Sequence, residues 1–151
     1  MRPEPALSYV RDLLEGLTGS RPNADGDGDL PVRVSGAEFY VRVVGDDAIV
    51  QVFSVVLAGV DATAELLVAL NGINTQSKFV RAFHVANQVL FEHEIWADDV
   101  NPANFGYACT SVAAASDRFG HELHAQFGGD NRFELSKNDE YEQPEMFGGY
   151  L

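Results

Sequence analysis

The spacing of hydrophobic residues changes once in the first third of the chain. Within residues 5–18, leucine and valine recur every three or four positions, which predicts an amphipathic helix that ends at Gly19. Within residues 31–43, apolar and polar residues alternate, which predicts half-buried β-strands. Residues 20–30 lie between the two patterns, are rich in turn-forming residues, and predict a mobile loop.

The rest of the sheet is predicted from later segments. Residues 49–57 form a β-branched run that is apolar on both faces, so this strand is expected in the middle of the sheet. A turn at residues 45–47 separates it from the alternating segment before it. Residues 78–85 and 88–97 alternate again and predict a second antiparallel hairpin.

A short helix is predicted between the two groups of strands. Asp61 is expected to cap its start, and Leu67 and Leu70 are among the leucines expected to face the sheet. Asn71 and Asn74 are assigned to its end, because asparagine tolerates the left-handed conformation that ends a helix and its amide can bond the last carbonyls.

The last and longest helix is predicted to begin at Asn101-Pro102 and to stop at residues 128–129. Its apolar positions recur at alternating steps of four and three residues. These positions, called here the seam, include Phe105, Cys109, Val112, Ser116 and Phe119. The seam is a candidate partner-binding surface, and the alternative is that it only packs the helix on its own sheet.

The elements follow the order α-β-β-β-α-β-β-α and predict an α+β domain with an antiparallel sheet packed by helices. One domain is expected over residues 1–129. Residues 130–151 are strongly acidic with few groups to bury, so they predict a flexible tail. The apolar residues within 146–151 are either an accident of composition or a segment that docks on this domain or a neighbour.

Charge narrows the set of partners. The 151 residues include 10 Lys+Arg and 23 Asp+Glu, which gives a formal net charge of −13. That charge disfavours nucleic acid and anionic membrane surfaces, and no stretch reaches the roughly 20 apolar residues that span a bilayer. The first residues do not predict a secretory signal, so a cytoplasmic protein is expected. Its single cysteine, Cys109, is expected to be a buried, inert thiol.

The stretch Asp25-Gly26-Asp27-Gly28-Asp29 is similar to a calcium loop, in which alternate aspartates supply oxygen ligands. Its register does not fit. Counted from Asp25, the sixth residue is Leu30 where glycine is needed, and the twelfth is Gly36 where glutamate is needed. Counted from Asn23, the twelfth residue is Val34. A solvated acidic loop is therefore expected here.

Two histidine-containing stretches do not fit reactive sites. His121 and His124 are three residues apart instead of the four of the zinc-protease pattern, without an obvious third ligand. Strand alternation places Glu92 and Glu94 on one face and His93 on the other, so a solvated strand edge is expected. The sequence has no phosphate-binding loop, nucleophile elbow or paired-cysteine motif, and we expect no enzyme activity, metal or cofactor.

Several stretches together are similar to a known family. They are Leu70-Asn71-Gly72-Ile73-Asn74, Phe79-Val80-Arg81-Ala82-Phe83, Val89-Leu90-Phe91-Glu92-His93-Glu94-Ile95 and the helix start at Asn101-Pro102. In this order, the chain resembles the YbjN family and, in fold, the small class I chaperones of type III secretion systems, over roughly residues 5–129. The resemblance implies a bacterial, cytosolic, non-enzymatic domain, often dimeric, whose exposed apolar surface holds a segment of another protein.

Three functions are consistent with the sequence. The first is a chaperone-like module that binds a peptide segment or helix of a partner protein and forms a homodimer. The second is an acidic immunity-type or inhibitor protein, whose binding to a basic folded partner should weaken steeply with salt. The third is a small-molecule carrier with a pocket between helices and sheet, which a co-purifying ligand would indicate.

Overall fold

The computed structural model describes residues 1–34 and 37–131, and these residues form three α-helices and six β-strands. The helices are α1 (Pro3–Thr18), α2 (Ala64–Gln76) and α3 (Pro102–Phe127). The strands are β1 (Leu30–Val34), β2 (Ala37–Val44), β3 (Ile49–Ala58), β4 (Arg81–Val85), β5 (Gln88–Trp96) and β6 (Asp130–Asn131), and a 3₁₀ turn spans Ala97–Asp99. The predicted order of elements is confirmed, with β6 added at the end.

The strands pair antiparallel throughout the described sheet, in the order β1-β2-β3-β5-β4. The position of β3 in the middle confirms the prediction from its two-sided apolar pattern. Beyond an irregularity between Val55 and Leu57, β3 also pairs with β6. Asp130 and Asn131, which the sequence assigned to the tail, therefore belong to the sheet. The predicted flexible tail after them lies outside the described residues.

One face of the sheet carries α1, α3 and the main core. Helix α3 crosses β2, β3 and β5, and α1 packs on β2 and on α3. The core includes Phe39, Val41, Val50, Val52 and Phe91 from the strands and Leu14, Phe105, Val112 and Phe119 from the helices. Each such side chain contributes about 1.5–3 kcal/mol when it leaves water, so this layer dominates the stability. Within the described residues, no helix combines the length and apolarity needed to cross a membrane.

The start of α3 is fixed by a reciprocal pair of asparagines. Asn101 Oδ1 accepts the backbone N–H of Asn104 at 3.0 Å, and Asn104 Oδ1 accepts the backbone N–H of Asn101 at 2.9 Å. Pro102 occupies the first turn, where a missing N–H costs no hydrogen bond. The pair satisfies donors that a helix start otherwise leaves to water, and the predicted start at Asn101-Pro102 is confirmed.

The opposite face of the sheet, called here the second face, has its own apolar cluster. Tyr40, Phe53, Val55 and Leu90 are buried there, apart from the main core. The Tyr40 and Phe53 rings stack with their centroids 5.5 Å apart. The guanidinium carbon of Arg42 lies 5.0 Å from the centroid of the Phe53 ring, a cation–π contact. Strand β3 thus makes apolar contacts on both of its faces, as its sequence indicated.

The end of α2 differs from the prediction. The helix continues through Asn71 and Asn74 to Gln76, because Ile73 is buried on the face that packs inward and extends the helical pattern. Asn74 has another structural role. Its Nδ2 donates to the carbonyl oxygen of Ala82 at 2.9 Å, and its Oδ1 accepts the Ala82 N–H at 2.7 Å. Both Asn71 and Asn74 are exposed, and the side-chain amide of Asn74 fastens α2 to the backbone of β4.

The chain around α2 differs from the prediction at three further places. The N-cap is Thr63 rather than Asp61, and the Thr63 side chain accepts a backbone N–H of the first turn. Leu67 is 48% exposed rather than turned to the sheet, because the neighbouring Leu66 takes the buried position. Strand β4 begins at residue 81 rather than 78, because Phe79 adopts a left-handed conformation with φ 67° that interrupts the extended chain.

Candidate functional site

An open groove of about 530 Å³ runs between α1, the β1–β2 hairpin and α3. Helix α1 contributes Leu14, Leu17 and Thr18, the hairpin contributes Val32, Val34, Ala37 and Phe39, and α3 contributes Gly106, Cys109, Thr110, Ala113, Ala114, Asp117 and His121. The walls are mostly apolar. The volume falls within the range of about 300–1,000 Å³ that is typical of ligand sites, so this groove is the main candidate for binding.

The groove exists because one face of α3 carries small side chains. Gly106, Ala113 and Ala114 lie at helical spacing on the face of α3 that lines it. A Cβ atom at position 106 would be in van der Waals contact with Leu17 Cδ2, 3.8 Å away, so glycine leaves space between α3 and α1 here. The sequence signal for this face is the run of small residues in α3. Alanine is common in helices, and the pattern alone did not predict a groove.

Large apolar side chains reach solvent beside the groove. Leu17 is 52% exposed and Val34 is 43% exposed. Thr18 adds little polarity, because its hydroxyl donates to the carbonyl oxygen of Leu14 at 2.9 Å within the same helix. A partner that covered these side chains would gain roughly 25 cal/mol for each Å² of apolar surface removed from water.

The five residues of the predicted seam face the interior of the domain. Phe105, Val112, Ser116 and Phe119 are buried beneath α3, and Ser116 Oγ donates to the carbonyl oxygen of Val112 at 2.8 Å. Cys109 is also buried, but it lines the groove as well. The seam therefore packs α3 on its own sheet, which is the alternative interpretation from the sequence. Contact of these residues with a partner stays a prediction.

The groove offers apolar contact rather than reactive groups. Burial raises the pKa of the Cys109 thiol to about 12, so the thiol stays protonated at neutral pH and is a poor nucleophile. Asp117 and His121, the other titratable side chains among the lining residues, are both exposed. A surface of this kind binds by burying apolar groups, and Asp117 places negative charge beside it.

A chain of polar side chains crosses the second face. Arg42, Gln51 and Glu94 are cross-strand neighbours on β2, β3 and β5. Arg42 Nε donates to Gln51 Oε1 at 2.7 Å, and Gln51 Nε2 donates to Glu94 Oε1 at 2.6 Å. Arg81 on β4 donates to Glu92 at 3.1 Å and to Glu94 at 3.4 Å. The sequence predicted a solvated edge here, but Glu92 is fully buried, and its pairing with Arg81 makes that burial tolerable.

His93 lies away from the two glutamates, among aromatic rings. Its ring stacks on Phe79 with centroids 5.9 Å apart and meets Tyr107 edge-on at 6.3 Å. Burial lowers the pKa of His93, so the ring is neutral at neutral pH. Strand alternation predicted this separation, which keeps Glu92, His93 and Glu94 from acting together as an acid–base set.

The fold is similar to solved structures of secretion chaperones. The chain is similar to the HopA1–SchA chaperone–effector complex (TM-score 0.58, 10% identity, covering 78% of this chain and 97% of that chain). It is similar to the Yersinia pestis type III secretion chaperone SycH in complex with a fragment of YscM2 (TM-score 0.55, 11% identity, 74% and 97% covered). It is also similar to YbjN from E. coli (TM-score 0.57, 16% identity, 80% and 92% covered). At these identities the likeness shows the fold. No curated protein has a significantly similar sequence.

A family model matches most of the chain. The model, TY-Chap1, is described as T3SS (YopN, CesT) and YbjN peptide-binding chaperone 1, and it matches residues 4–135. This match confirms the resemblance that the sequence suggested, and the fold agrees with it. The groove adds an apolar surface of suitable size. The chain therefore belongs to the T3SS and YbjN family of peptide-binding chaperones and is a chaperone-like protein-binding module.

Proposed function

We propose that this protein holds an apolar segment of a partner protein in the groove between α1, the β1–β2 hairpin and α3. The observation that carries the proposal is the exposure of Leu17 and Val34 beside an apolar groove of about 530 Å³. The similarity to a chaperone–effector complex supports it. Binding without catalysis is the proposed activity, and the cytoplasm is the proposed location, as the family resemblance implies.

The groove favours a segment with bulky apolar side chains and basic residues around them. Apolar side chains fill the space that Gly106 and Ala113 leave beside α1. Asp117 and the net charge of −13 attract Lys and Arg on either side of the segment. Salt screens this attraction, but the contact itself is apolar, so most of the affinity should persist at high salt, in contrast to the inhibitor-type alternative.

Crosslinking followed by a groove-filling variant tests this proposal. A benzophenone amino acid placed at Leu17 of the full chain, in its native host, is expected to crosslink to one segment of a partner that mass spectrometry identifies. A synthetic peptide of that segment is then titrated against the purified chain. Ala113→Trp fills the groove and is expected to lower the affinity for the peptide by at least about tenfold, or about 1.4 kcal/mol.

Ala103→Trp is the matched control, because Ala103 is exposed in the first turn of the same helix and is not among the groove residues. Its peptide affinity is expected to stay near that of the wild type. Equal affinity in a folded Ala113→Trp variant contradicts the groove as the binding site. A steep loss of wild-type binding between low and high salt would instead support the inhibitor-type function.

The proposal includes a homodimer formed through α2. This helix exposes two neighbouring apolar side chains, Leu67 at 48% and Val68 at 71%. After Glu65 it carries no charged residue. On a chain with a net charge of −13, a helix with a single charged residue is a place where two copies approach with little repulsion. A two-fold axis beside α2 would bring the same apolar face of each copy together.

Val68→Glu is expected to convert the dimer to a monomer, because a two-fold interface would place the two added carboxylates close together. Light scattering at roughly 50 µM measures the mass, since dimerisation depends on protomer concentration. The wild type should give about twice the 16.5 kDa of one chain. Leu17→Glu, the same charge change at an exposed leucine outside α2, should stay dimeric. A monomeric wild type, or a dimeric Val68→Glu, contradicts this interface.

A further inference from the structure

The apolar cluster of the second face is built from strand residues alone. No residue of a described helix belongs to it, because α1 and α3 pack on the other face of the sheet. Even so, Phe53 and Leu90 are completely buried, and Tyr40 is only 4% exposed. An antiparallel sheet with helices on one side usually leaves its other side in water. The burial of these side chains therefore calls for a further layer on the second face.

The described chain ends next to this cluster. Asn131 pairs with Leu57, which lies close to Val55 on β3. Strand β5 pairs with Leu57 along one edge of β3, so β6 lies along the other edge, which β2 takes from Phe53 onward. At most residues 54–56 of β3 separate β6 from β2 on that edge, so the sheet has no room there for a longer strand. One face beside this point carries the main core, and the other is the second face.

The charged side chains of the second face are arranged with arginines outward. Arg33 is exposed, whereas Glu38, with which it forms a salt bridge, is half-buried. Arg81 is exposed, whereas its partner Glu92 is fully buried. Arg42 on β2 adds a third guanidinium to the same face. On a chain with a net charge of −13, this face is a place where acidic side chains are attracted rather than repelled.

We propose that residues 132–151 of this chain bind to its second face. The segment has the two kinds of side chain that the face favours, which are carboxylates for the arginines and aromatic rings for the apolar cluster. The carboxylates are those of Glu134, Asp139, Glu140, Glu142 and Glu145. The rings are those of Phe133, Tyr141, Phe147 and Tyr150.

The segment is long enough for this contact and is favoured over other occupants. Its 20 residues can span roughly 60 Å when extended, whereas five neighbouring strands are only about 20 Å across. Because the segment is joined to β6, its effective concentration at the face is on the order of millimolar, which a separate chain rarely reaches. The docking alternative for residues 146–151 thus extends to the whole segment.

This contact leaves the groove open. Val32 and Phe39, which line the groove, belong to the main core on the opposite face of the sheet. The segment therefore acts as a built-in cover of the second face and does not compete with a partner held beside α1 and α3. The two proposals are independent, so the failure of either one leaves the other in place.

Photocrosslinking of the purified full chain tests the contact. The photoreactive residue p-benzoylphenylalanine replaces Phe83, which packs against the second-face cluster. Mass spectrometry of the irradiated protein is expected to show crosslinks to residues 132–151 of the same chain. The matched control places the same residue at Phe79, whose ring stacks on His93 on the other face. Its crosslinks to the segment are expected to be at least about fivefold fewer, because the tether then allows only transient encounters.

A mixture of isotope-labelled and unlabelled chains distinguishes the segment from a second copy. Crosslinks from position 83 are expected within one chain, whatever the protein concentration. Crosslinks mainly between labelled and unlabelled chains would assign the cover to a second copy and overturn the proposal. Equal yields of segment crosslinks from positions 83 and 79 would overturn it as well.

Thermal melting measures whether the contact stabilises the full chain. The triple variant Phe133→Ser, Tyr141→Ser and Phe147→Ser is expected to lower the Tm by about 3–6 °C, because the bound segment stabilises only the folded state. The control changes three polar residues of the same segment and should melt like the wild type; it combines Ser136→Ala, Asn138→Ala and Gln143→Ala. A wild-type Tm in the serine variant overturns the proposal, because a segment that binds nowhere loses nothing with its rings.

Discussion

Gly129→Ala is expected to release β6 from β3 and to lower the free energy of unfolding by about 2–4 kcal/mol. A Cβ atom at position 129 would lie 2.5 Å from Val60 Cγ1 and 2.7 Å from the carbonyl oxygen of Ala58, closer than van der Waals contact allows. Gly129 also has a left-handed backbone with φ 75°, a conformation that residues with a Cβ atom rarely adopt. The clash is relieved if the chain after α3 moves away from the end of β3.

Hydrogen exchange near Leu57 and Ala58, where β6 pairs with β3, measures this release. Gly128→Ala is the matched control. Its φ of 74° is also left-handed, but among the described residues no atom beyond its chain neighbours lies within 4 Å of the added Cβ, so it carries backbone strain without the clash. Exchange at the end of β3 should rise about tenfold or more in Gly129→Ala and stay near the wild-type rate in Gly128→Ala. Similar protection in both variants would mean that the methyl group is accommodated.

Phe105→Ala is expected to lower the free energy of unfolding by about 3–5 kcal/mol. Phe105 is completely buried in the main core, and truncation removes its ring and leaves a cavity between α3 and the sheet. Denaturant unfolding followed by circular dichroism should show a lower midpoint with an unchanged slope. The result distinguishes the two interpretations of the seam, because a residue reserved for a partner would leave the stability of the free chain nearly unchanged.

Tyr107→Ala is the control for this measurement. It removes a similar ring from the same helix, but Tyr107 is 49% exposed, and its loss is expected to cost less than about 1 kcal/mol. Both variants shorten an aromatic residue of α3 by the same chemistry, so their difference reports burial. Equal destabilisation by the two substitutions would contradict the packing of α3 that the structure shows.

The sequence predicted elements well where neighbouring residues determine them. The β-branched run of β3 requires cover on both faces, so its central position follows from the pattern alone. The Asn101-Pro102 start of α3 likewise follows from local hydrogen bonds and from the fixed φ of proline. Such signals are complete within a few residues, and the fold class follows from their order.

The region around α2 could not be predicted in this way, because its geometry depends on distant contacts. A stretch such as Asn71-Gly72-Ile73-Asn74 usually ends a helix, but the burial of Ile73 extends it. Asn74 bonds to Ala82 on a different element. The left-handed conformation of Phe79 accompanies ring contacts to β5 and α3. Local propensity is a weak prior when tertiary packing opposes it.

The candidate sites were harder still, because each is a property of the space between elements. The seam has the largest apolar side chains of α3, and those fill the core, whereas the groove lies where α3 is narrow. The small residues of α3 form one wall of a groove only because α1 lies beside that face of the helix. Asp29, which the sequence assigned to a solvated loop, is likewise only 3% exposed directly before β1, which a count of loop residues does not reveal.

The contact of Asn74 with Ala82 makes the two edges of the sheet unequal. The outer strand of any sheet presents backbone N–H and C=O groups to which a foreign strand can add, and such addition is a route to aggregation. At β4 the Asn74 amide occupies both groups of Ala82 and imitates a neighbouring strand. An intruding chain must break two hydrogen bonds before it can extend the sheet there. The Asn74 side chain thus prevents a bound peptide or a second chain from extending the sheet of this peptide-binding chaperone at the β4 edge.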